Sequence, residues 1–156
     1  MSTGFWRGAA AGAAGTTVLN AVTYLDMTFR GRPSSSTPEQ LVEAVADKAG
    51  VTVPGDDETR TNRLRGLGPL SGSAVGVAVG ASAGVVDALL RRGGRELPAP
   101  LAALLIGAAA MALSDVPLKV FGISDPATWA AKDWAADVVP HLAYGAATYA
   151  TLRSIA

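Results

Sequence analysis

Charge is scarce in this sequence. Asp, Glu, Lys and Arg make up 17% of the 156 residues, whereas an ordinary soluble domain carries about 25%. Apolar residues account for 49%, so the chain lacks the polar surface that a water-soluble fold of this length needs. The length itself corresponds to a single domain. These features together favour a protein that lies in a membrane.

Cysteine is absent, histidine occurs once, and the formal net charge is zero. The lack of cysteine excludes disulfides, thiolate metal sites and cysteine nucleophiles. A single histidine excludes a two-histidine metal site within one copy of the chain. A balanced charge provides no basic surface for DNA or RNA, so no nucleic-acid partner is expected. No pattern in the sequence identifies a cofactor or decides whether a metal binds.

Four runs of 15 to 20 residues contain no charged side chain. About 20 apolar residues in a helix cross a hydrocarbon core about 30 Å thick. The fourth run reaches this length only if its helix begins near Trp134. The sequence therefore predicts an all-α integral membrane protein with four transmembrane helices, at about residues 8–26, 67–90, 97–118 and 135–153. A soluble alanine-rich helical bundle is the alternative.

A polar segment, residues 27–66, separates the first two predicted spans. The sequence Thr37-Pro38-Glu39-Gln40 is typical of a helix start, because it provides a capping residue, a proline in the first turn and a capping-box glutamine. Apolar side chains then recur on one helical face. The sequence predicts an amphipathic surface helix over 38–49, followed by a mobile polar loop over 51–66.

The segment after the third run contains the same order of residue types as the segment after the first run. In both places an acid ends the span, a Phe and a Gly follow, and Thr or Asp before Pro marks a helix start. This predicts a second interfacial helix over 125–136, with Trp129 and Trp134 as anchors. The chain would then be a two-fold repeat of helix, surface helix and helix, an arrangement known in transporters. Chance similarity of two short segments is the alternative.

The distribution of basic residues predicts an orientation in the plasma membrane. Eight Lys and Arg residues lie on the side of the two long loops, and five lie on the other side. The positive-inside rule therefore places the long loops in the cytoplasm.

Five glycines at a spacing of four mark the second span as a glycine zipper: Gly68, Gly72, Gly76, Gly80 and Gly84. Such a band lets two membrane helices approach closely. Viewed along the helix axis, Asp87 lies at the angular centre of the same band, so its side chain is expected to face a neighbouring helix. The partner is another helix of this chain, another copy of the chain, or another membrane protein. The first functional hypothesis is therefore a helix-packing subunit of a homo-oligomer or of a larger membrane complex.

Three acids near span ends each precede a basic residue by four positions, an order that favours ion pairs within a helix. These pairs are Asp26–Arg30, Asp87–Arg91 and Asp115–Lys119. Their simplest interpretation is structural.

A second set of polar residues predicts a candidate ion or proton site near one membrane face: Asp137, His141, Asp115, Asp26, Asn20 and Tyr144. Asp137 and His141 are four residues apart on the fourth span, and Pro140 between them frees a backbone carbonyl. Ionisable residues in membrane spans are often functional. The alternative function is thus a small carrier or a proton or cation conduit. A hydrogen-bonded Asp137–His141 pair that locks the bundle is the structural alternative.

An enzyme that uses His141 and Asp137 as acid and base is the weakest hypothesis, and no catalytic residue is assigned. The strings at 20–27, 30–33, 125–129 and 140–145 resemble those of small multi-pass membrane proteins of high-GC Gram-positive bacteria. Those proteins have no assigned function, so the resemblance implies a membrane protein and no activity.

Overall fold

The computed structural model describes residues 2–155, and these residues form five α-helices and no strand. The helices are α1 (Ser2–Arg30), α2 (Thr37–Lys48), α3 (Asp57–Arg92), α4 (Ala99–Val120) and α5 (Ala131–Ser154). The prediction of an all-α protein is confirmed. Among the described helices, α3 and α4 are long and apolar enough to cross a membrane.

The four long helices pack side by side in alternating directions. Helix α1 lies antiparallel to α3, since Gly4 faces Gly84 at one end of the contact and Gly12 faces Gly76 at the other. Helix α1 also packs along α5, and α5 packs along α4. The contact between α3 and α4 is limited. The short helix α2 packs against the polar N-terminal part of α3.

Glycine ends several of these helices. Gly94, after α3, has a φ of +68°, a left-handed conformation that costs a residue with a side chain about 1–2 kcal/mol. This conformation lets the Arg95 amide donate to the Leu90 carbonyl at 2.9 Å, which satisfies one of the free carbonyls of the last turn. The same bond follows Gly50 and Gly122, which also have positive φ.

The expected mobile loop over 51–66 is wrong, because α3 begins at Asp57. The Asp56 side chain accepts a hydrogen bond from the Thr59 amide at 2.8 Å and so caps the helix. Asp57 and Glu58 lie in the first turn, where negative charge is favoured by the helix dipole. Helix α2 occupies the predicted position within one residue, although Ser36 rather than Thr37 precedes it.

The predicted interfacial helix over 125–136 is also wrong. Residues Pro126–Thr128 form a single 3-10 turn, and α5 begins at Ala131 and continues without interruption. The helix restarts at once because the Asp133 carboxylate accepts the Ala130 amide hydrogen bond at 3.1 Å. The second unit of the predicted repeat therefore lacks a separate surface helix.

The interior of the bundle consists mainly of small residues. Among the residues that the structure describes, four of the nine buried hydrophobic residues are alanines, and the largest side chains that are less than 2% exposed are those of Tyr144 and Thr148. Large aliphatic side chains point outwards instead. Leu70, Leu113 and Val120, for example, are 65%, 55% and 71% exposed. The close packing of the bundle thus depends on small residues rather than on a large aliphatic core.

Candidate functional site

Three glycines of the predicted band lie against α1. A Cβ atom added to Gly80 would lie 2.6 Å from the Gly12 amide nitrogen, and one added to Gly84 would lie 2.7 Å from the Gly8 Cα. A Cβ on Gly76 would meet the Thr16 side chain. The two outer glycines differ: Gly68 lies against α2, and no heavy atom would contact a Cβ on Gly72 within 4 Å.

A second glycine contact, which the sequence analysis missed, joins α4 to α5. A Cβ on Gly145 would lie 2.7 Å from the Gly107 amide nitrogen, and a Cβ on Gly107 would lie 2.6 Å from the His141 carbonyl oxygen. Neither glycine belongs to a repeated spacing, so no sequence pattern marks it. This contact determines how closely the backbone around His141 approaches α4.

A polar cavity of about 1000 Å³ lies between α1, α3, α4 and α5 at the end of the bundle that α2 covers. Five of the six residues predicted for the ion or proton site line it: Asn20, Asp115, Asp137, His141 and Tyr144. They come from α1, α4 and α5, so the helix packing brings together residues that are up to 124 positions apart in the sequence.

Asp137 and His141 interact on one face of α5. Their closest side-chain atoms, Oδ1 of Asp137 and Nδ1 of His141, are 3.4 Å apart. The same ring nitrogen lies 2.8 Å from the Asp137 carbonyl oxygen. The His141 side chain is 12% exposed. Asp137 Oδ2 is buried and has no hydrogen-bond partner among residues 2–155, so the carboxylate has unused capacity to accept a proton or a donor.

Asp115 is 8% exposed and faces the same pair from α4. The predicted ion pair with Lys119 does not form, because Lys119 instead contacts Asp125 at 3.1 Å. Asp115 makes no ion pair with Lys or Arg in the described part of the chain. Its nearest charged neighbours are Asp137 and His141. Two carboxylates and one imidazole therefore share a buried site without a compensating lysine or arginine.

Asp26 does not line the cavity, although two of its partners do. Its carboxylate accepts from Arg30 at 3.3 Å, as predicted, and from Arg32 at 2.5 Å. Both arginines line the cavity. Asp26 thus helps to orient positive charge at the cavity wall, and it is not a member of the acidic cluster.

Tyr144 lies at the wall of the cavity where α1, α3 and α5 meet. Its side chain is 1% exposed, and its hydroxyl donates to the Gly76 carbonyl oxygen at 2.5 Å. The ring packs against Gly15, where a Cβ would lie 2.9 Å from the ring. Thr148, one turn further along α5, is fully buried. The polar face of α5 therefore continues beyond the cavity into the closely packed part of the bundle.

Glu39 is a cavity residue that the sequence does not predict. Glu39 lies in the first turn of α2, and its Oε2 atom is buried with no hydrogen-bond partner among the described residues. Gly68 allows this approach, since a Cβ there would lie 3.0 Å from the Glu39 amide nitrogen. The only sequence signal was the capping pattern of α2, which predicts the helix and not its position over the cavity.

A second charged cluster lies at the opposite end of the bundle. Asp87 pairs with Arg91 at 2.8 Å, as predicted, and also lies 3.8 Å from Arg153 of α5. Glu96, in the connection between α3 and α4, contacts Arg91 at 3.4 Å and Arg153 at 3.1 Å. This network explains why Asp87 faces a neighbouring helix, and it lies at the end of the bundle opposite the polar cavity.

No group of three His, Asp or Glu side chains within residues 2–155 is arranged to hold a metal ion. No protein-family model matches the chain, and no curated protein or solved structure matches it.

Proposed function

We propose that the chain is a four-span integral membrane protein, with α1, α3, α4 and α5 as the spans. The shortest of these, α4, has 22 residues and is about 33 Å long, which suffices for a hydrocarbon core of about 30 Å. In the most apolar stretches of α3 and α4, only 28% and 33% of the residues are buried. A core helix of a soluble protein would be mostly buried, so this exposure supports a lipid environment.

Hydroxyl groups within the helices also fit a membrane. Thr16, Ser82 and Ser114 each donate to the backbone carbonyl four residues earlier, at 2.9 to 3.1 Å. A hydroxyl that is bonded within its own helix needs no water, which lowers the cost of placing it in lipid.

The function that the cavity supports best is proton exchange across part of the membrane. The observation that carries this proposal is the convergence of Asp115, Asp137 and His141 on one cavity, where neither carboxylate forms an ion pair with a lysine or arginine of the described residues. Such groups hold and pass protons in membrane transport proteins. Tyr144 and Thr148 extend the polar face of α5 towards the other end of the bundle. The chain would act as a small carrier or proton conduit, and passage of a metal cation is the less favoured form of this function.

The test is proton flux in proteoliposomes that contain a pH-sensitive dye and carry an imposed potential. The variants Asp115→Asn, Asp137→Asn and His141→Gln change the cluster with little change in volume. Asp47→Asn, an exposed substitution on α2 outside the cavity, is the matched control. We expect the wild type and the control to acidify the vesicles, and each cluster variant to lose most of the flux.

Equal flux in the wild type and in all three cluster variants would refute the assignment of the site. Flux that depends on a sodium or potassium gradient and not on pH would replace the proton with a metal cation. Absence of any flux in the wild type would refute the conduit itself.

A second candidate function is that of a subunit in a larger membrane assembly. The observation that favours it is the outer face of α4, where Leu101 and Leu104 are 43% and 51% exposed. The glycine face supports it less, because α1 covers Gly76, Gly80 and Gly84 within the same chain. Native mass spectrometry of the protein extracted gently from its own membrane distinguishes a monomer from a homo-oligomer or a complex.

The proposed orientation places the long loops, and with them the cavity, on the cytoplasmic side of the plasma membrane. Because the chain has no cysteine, single cysteines at Ser35 and Gly93 can be labelled selectively in intact cells. An impermeant thiol reagent should label residue 93 and leave residue 35 unmodified, and the opposite result would invert the orientation.

A further inference from the structure

The polar cavity is larger than the exchange of protons requires. Its volume of about 1000 Å³ lies at the upper end of the range for small-molecule sites, which is about 300–1,000 Å³. Part of its wall is aliphatic, since Leu19, Val75 and Leu118 also line it. These side chains offer no hydrogen bond to a proton or to water. The cavity therefore has both the room and the apolar surface that an organic molecule needs.

Asp115 and Asp137 mark the position of the charged group of such a molecule. Asp115 is 8% exposed, and its carboxyl group lies within hydrogen-bond reach of that of Asp137. The Oδ2 atom of Asp137 has no partner among residues 2–155. Two carboxylates this close repel each other unless a proton or a cation lies between them. His141, whose Nδ1 lies 3.4 Å from Asp137, can compensate only one of the two charges.

The arginines of the cavity do not neutralise this pair. Three of them line the wall: Arg30, Arg32 and Arg65. Arg30 donates to the Lys132 carbonyl at 3.3 Å, and this carbonyl lies five residues before Asp137 on α5, or about 7.5 Å nearer the end of the bundle. Arg30 and Arg32 both pair with Asp26, and Arg65 is exposed. Four carboxylates line the same cavity: Glu39, Asp115, Asp133 and Asp137. The wall therefore complements a cation rather than an anion.

Aromatic side chains also line this cavity. They are Tyr24 and Trp129. The Trp129 indole is held in place, because its N–H donates to Ser124 at 2.9 Å and its ring packs edge-on against Trp134 with 5.2 Å between the centroids. An aromatic ring offers a large apolar surface and also attracts cations to its face. Both properties suit an organic cation better than a bare metal ion.

We propose that the cavity binds a protonated amine with a compact apolar body, whose ammonium group donates hydrogen bonds to Asp115 and Asp137. An ammonium group carries several N–H donors, and hydrogen bonds between two charged groups are stronger than those between neutral groups. The apolar body would lie against the aliphatic and aromatic wall. This inference rests on the proposed function, because the amine would be the cargo of the carrier and would occupy the carboxylates that exchange protons.

Calorimetric titration of the full-length protein in detergent tests this binding directly. The probe is 2-phenylethylammonium chloride. Two further compounds separate its properties: 2-phenylethanol has the same skeleton without the charge, and methylammonium chloride has the charge without the apolar body. We expect saturable binding of one 2-phenylethylammonium per chain. Each of the other compounds should bind at least tenfold more weakly, which for the alcohol is the factor expected from the loss of a charge-assisted hydrogen bond.

Variants of the acid pair test the position of the ammonium group. Asp115→Asn and Asp137→Asn should each weaken 2-phenylethylammonium about tenfold or more, because each removes a charged acceptor. Asp47→Asn removes the same charge from an exposed position outside the cavity. It is the matched control and should leave the affinity unchanged.

Two glycines of α3 provide a matched test of the room in the cavity. Gly72 lines the cavity and Gly66 does not, yet no heavy atom lies within 4 Å of a Cβ added to either. Gly72→Phe should therefore displace the amine, whereas Gly66→Phe should leave it bound. The asparagine variants keep the inference testable even if Gly72→Phe does not fold.

Three results would overturn the amine site. The alcohol or methylammonium could bind as tightly as 2-phenylethylammonium, the asparagine variants could bind like the wild type, or the two phenylalanine variants could behave identically. Proton flux in a protein that binds no amine would reject this inference and leave the proton conduit standing. Amine binding that depends on Asp115 and Asp137 in a protein without proton flux would confirm the site and reject transport of protons.

Discussion

Replacing Gly80 with alanine adds one methyl group where the backbones of α1 and α3 meet. The new Cβ would lie 2.5 Å from the Gly8 carbonyl oxygen and 2.6 Å from the Gly12 amide nitrogen. Favourable contacts begin at about 3.5 Å, and both atoms belong to a helix backbone that cannot rotate away. The two helices must therefore separate by about 1 Å along this contact.

The cost follows from two opposing effects. Overpacking of a close contact typically costs about 1–3 kcal/mol, whereas alanine gains up to about 1 kcal/mol over glycine in a helix interior. We expect Gly80→Ala to lower the free energy of unfolding by about 1–2 kcal/mol. Gly72→Ala is the matched control on the same helix, because no heavy atom lies within 4 Å of its added Cβ. It should be neutral or stabilising.

The assay is unfolding of the purified protein in mixed micelles by titration with a denaturing detergent, followed by tryptophan fluorescence. The prediction concerns the difference in unfolding free energy between the two variants, which equals the packing cost of about 1–3 kcal/mol because the helix-propensity gain is common to both. If Gly80→Ala and Gly72→Ala unfold at the same detergent fraction, the close contact between α1 and α3 is not a determinant of stability.

Three further predictions concern other parts of the bundle. Tyr144→Phe removes the hydroxyl that donates to Gly76 and should lower the free energy of unfolding by about 1 kcal/mol. Thr148→Val should be neutral or stabilising, because the buried Thr148 hydroxyl has no partner among the described residues. The same unfolding titration measures both variants. Gly94→Ala places a side chain at a φ of +68° and should cost about 1 kcal/mol, while Gly93→Ala, at a φ of −83°, should not, as thermal denaturation in detergent would show. The pKa of Asp125 lies below its usual 3.8, because its carboxylate accepts the Ala127 amide hydrogen bond and pairs with Lys119. This contact therefore stabilises the turn above pH 3.8, and the stabilisation is lost as the pH falls through the lowered pKa. In an NMR titration the Ala127 amide signal should move with a midpoint below pH 3.8.

Each of these predictions has a specific contradicting result. A Tyr144→Phe variant as stable as the wild type would mean that the Tyr144 hydrogen bond contributes nothing, and a loss in Thr148→Val would mean that the Thr148 hydroxyl has a partner. Equal stability of the two glycine variants after α3 would remove the need for a left-handed residue there. In the Asp125→Asn variant the Ala127 amide should not titrate, and persistence of the transition would assign it to another group.

The sequence predicted the four long helices because uncharged runs of sufficient length mark them, and it predicted α2 because proline and capping residues mark its start. It did not predict the start of α3. The acidic residues 56–58 lie within the predicted mobile loop, although Asp56 caps the helix and its two neighbours occupy the first turn. The same residue types serve in loops and at helix starts, so composition alone does not separate the two.

The sequence predicts which residues belong to the candidate site, but it does not predict how their side chains are arranged. The spacing of Asp137 and His141 places them on one face of α5, and the alternating direction of the helices brings Asp115 to the same end. Lys119 contacts Asp125 instead of Asp115, so Asp115 has no basic partner. The position of Asp125 depends on the turn after α4. The glycine contact between α4 and α5 depends on single residues, Gly107 and Gly145, whose role only the packing reveals.

Because α3 is long, a small change in its tilt would move its N-terminal end by several ångströms. Asp57 lies 23 residues from Gly80 in one unbroken helix, which is about 35 Å. A tilt of about 10° at the Gly80 contact would therefore displace the N-terminal end of α3 by about 6 Å. Because α2 is attached to that end through Glu43–Arg60, such a tilt would also carry α2 and change the width of the cavity entrance.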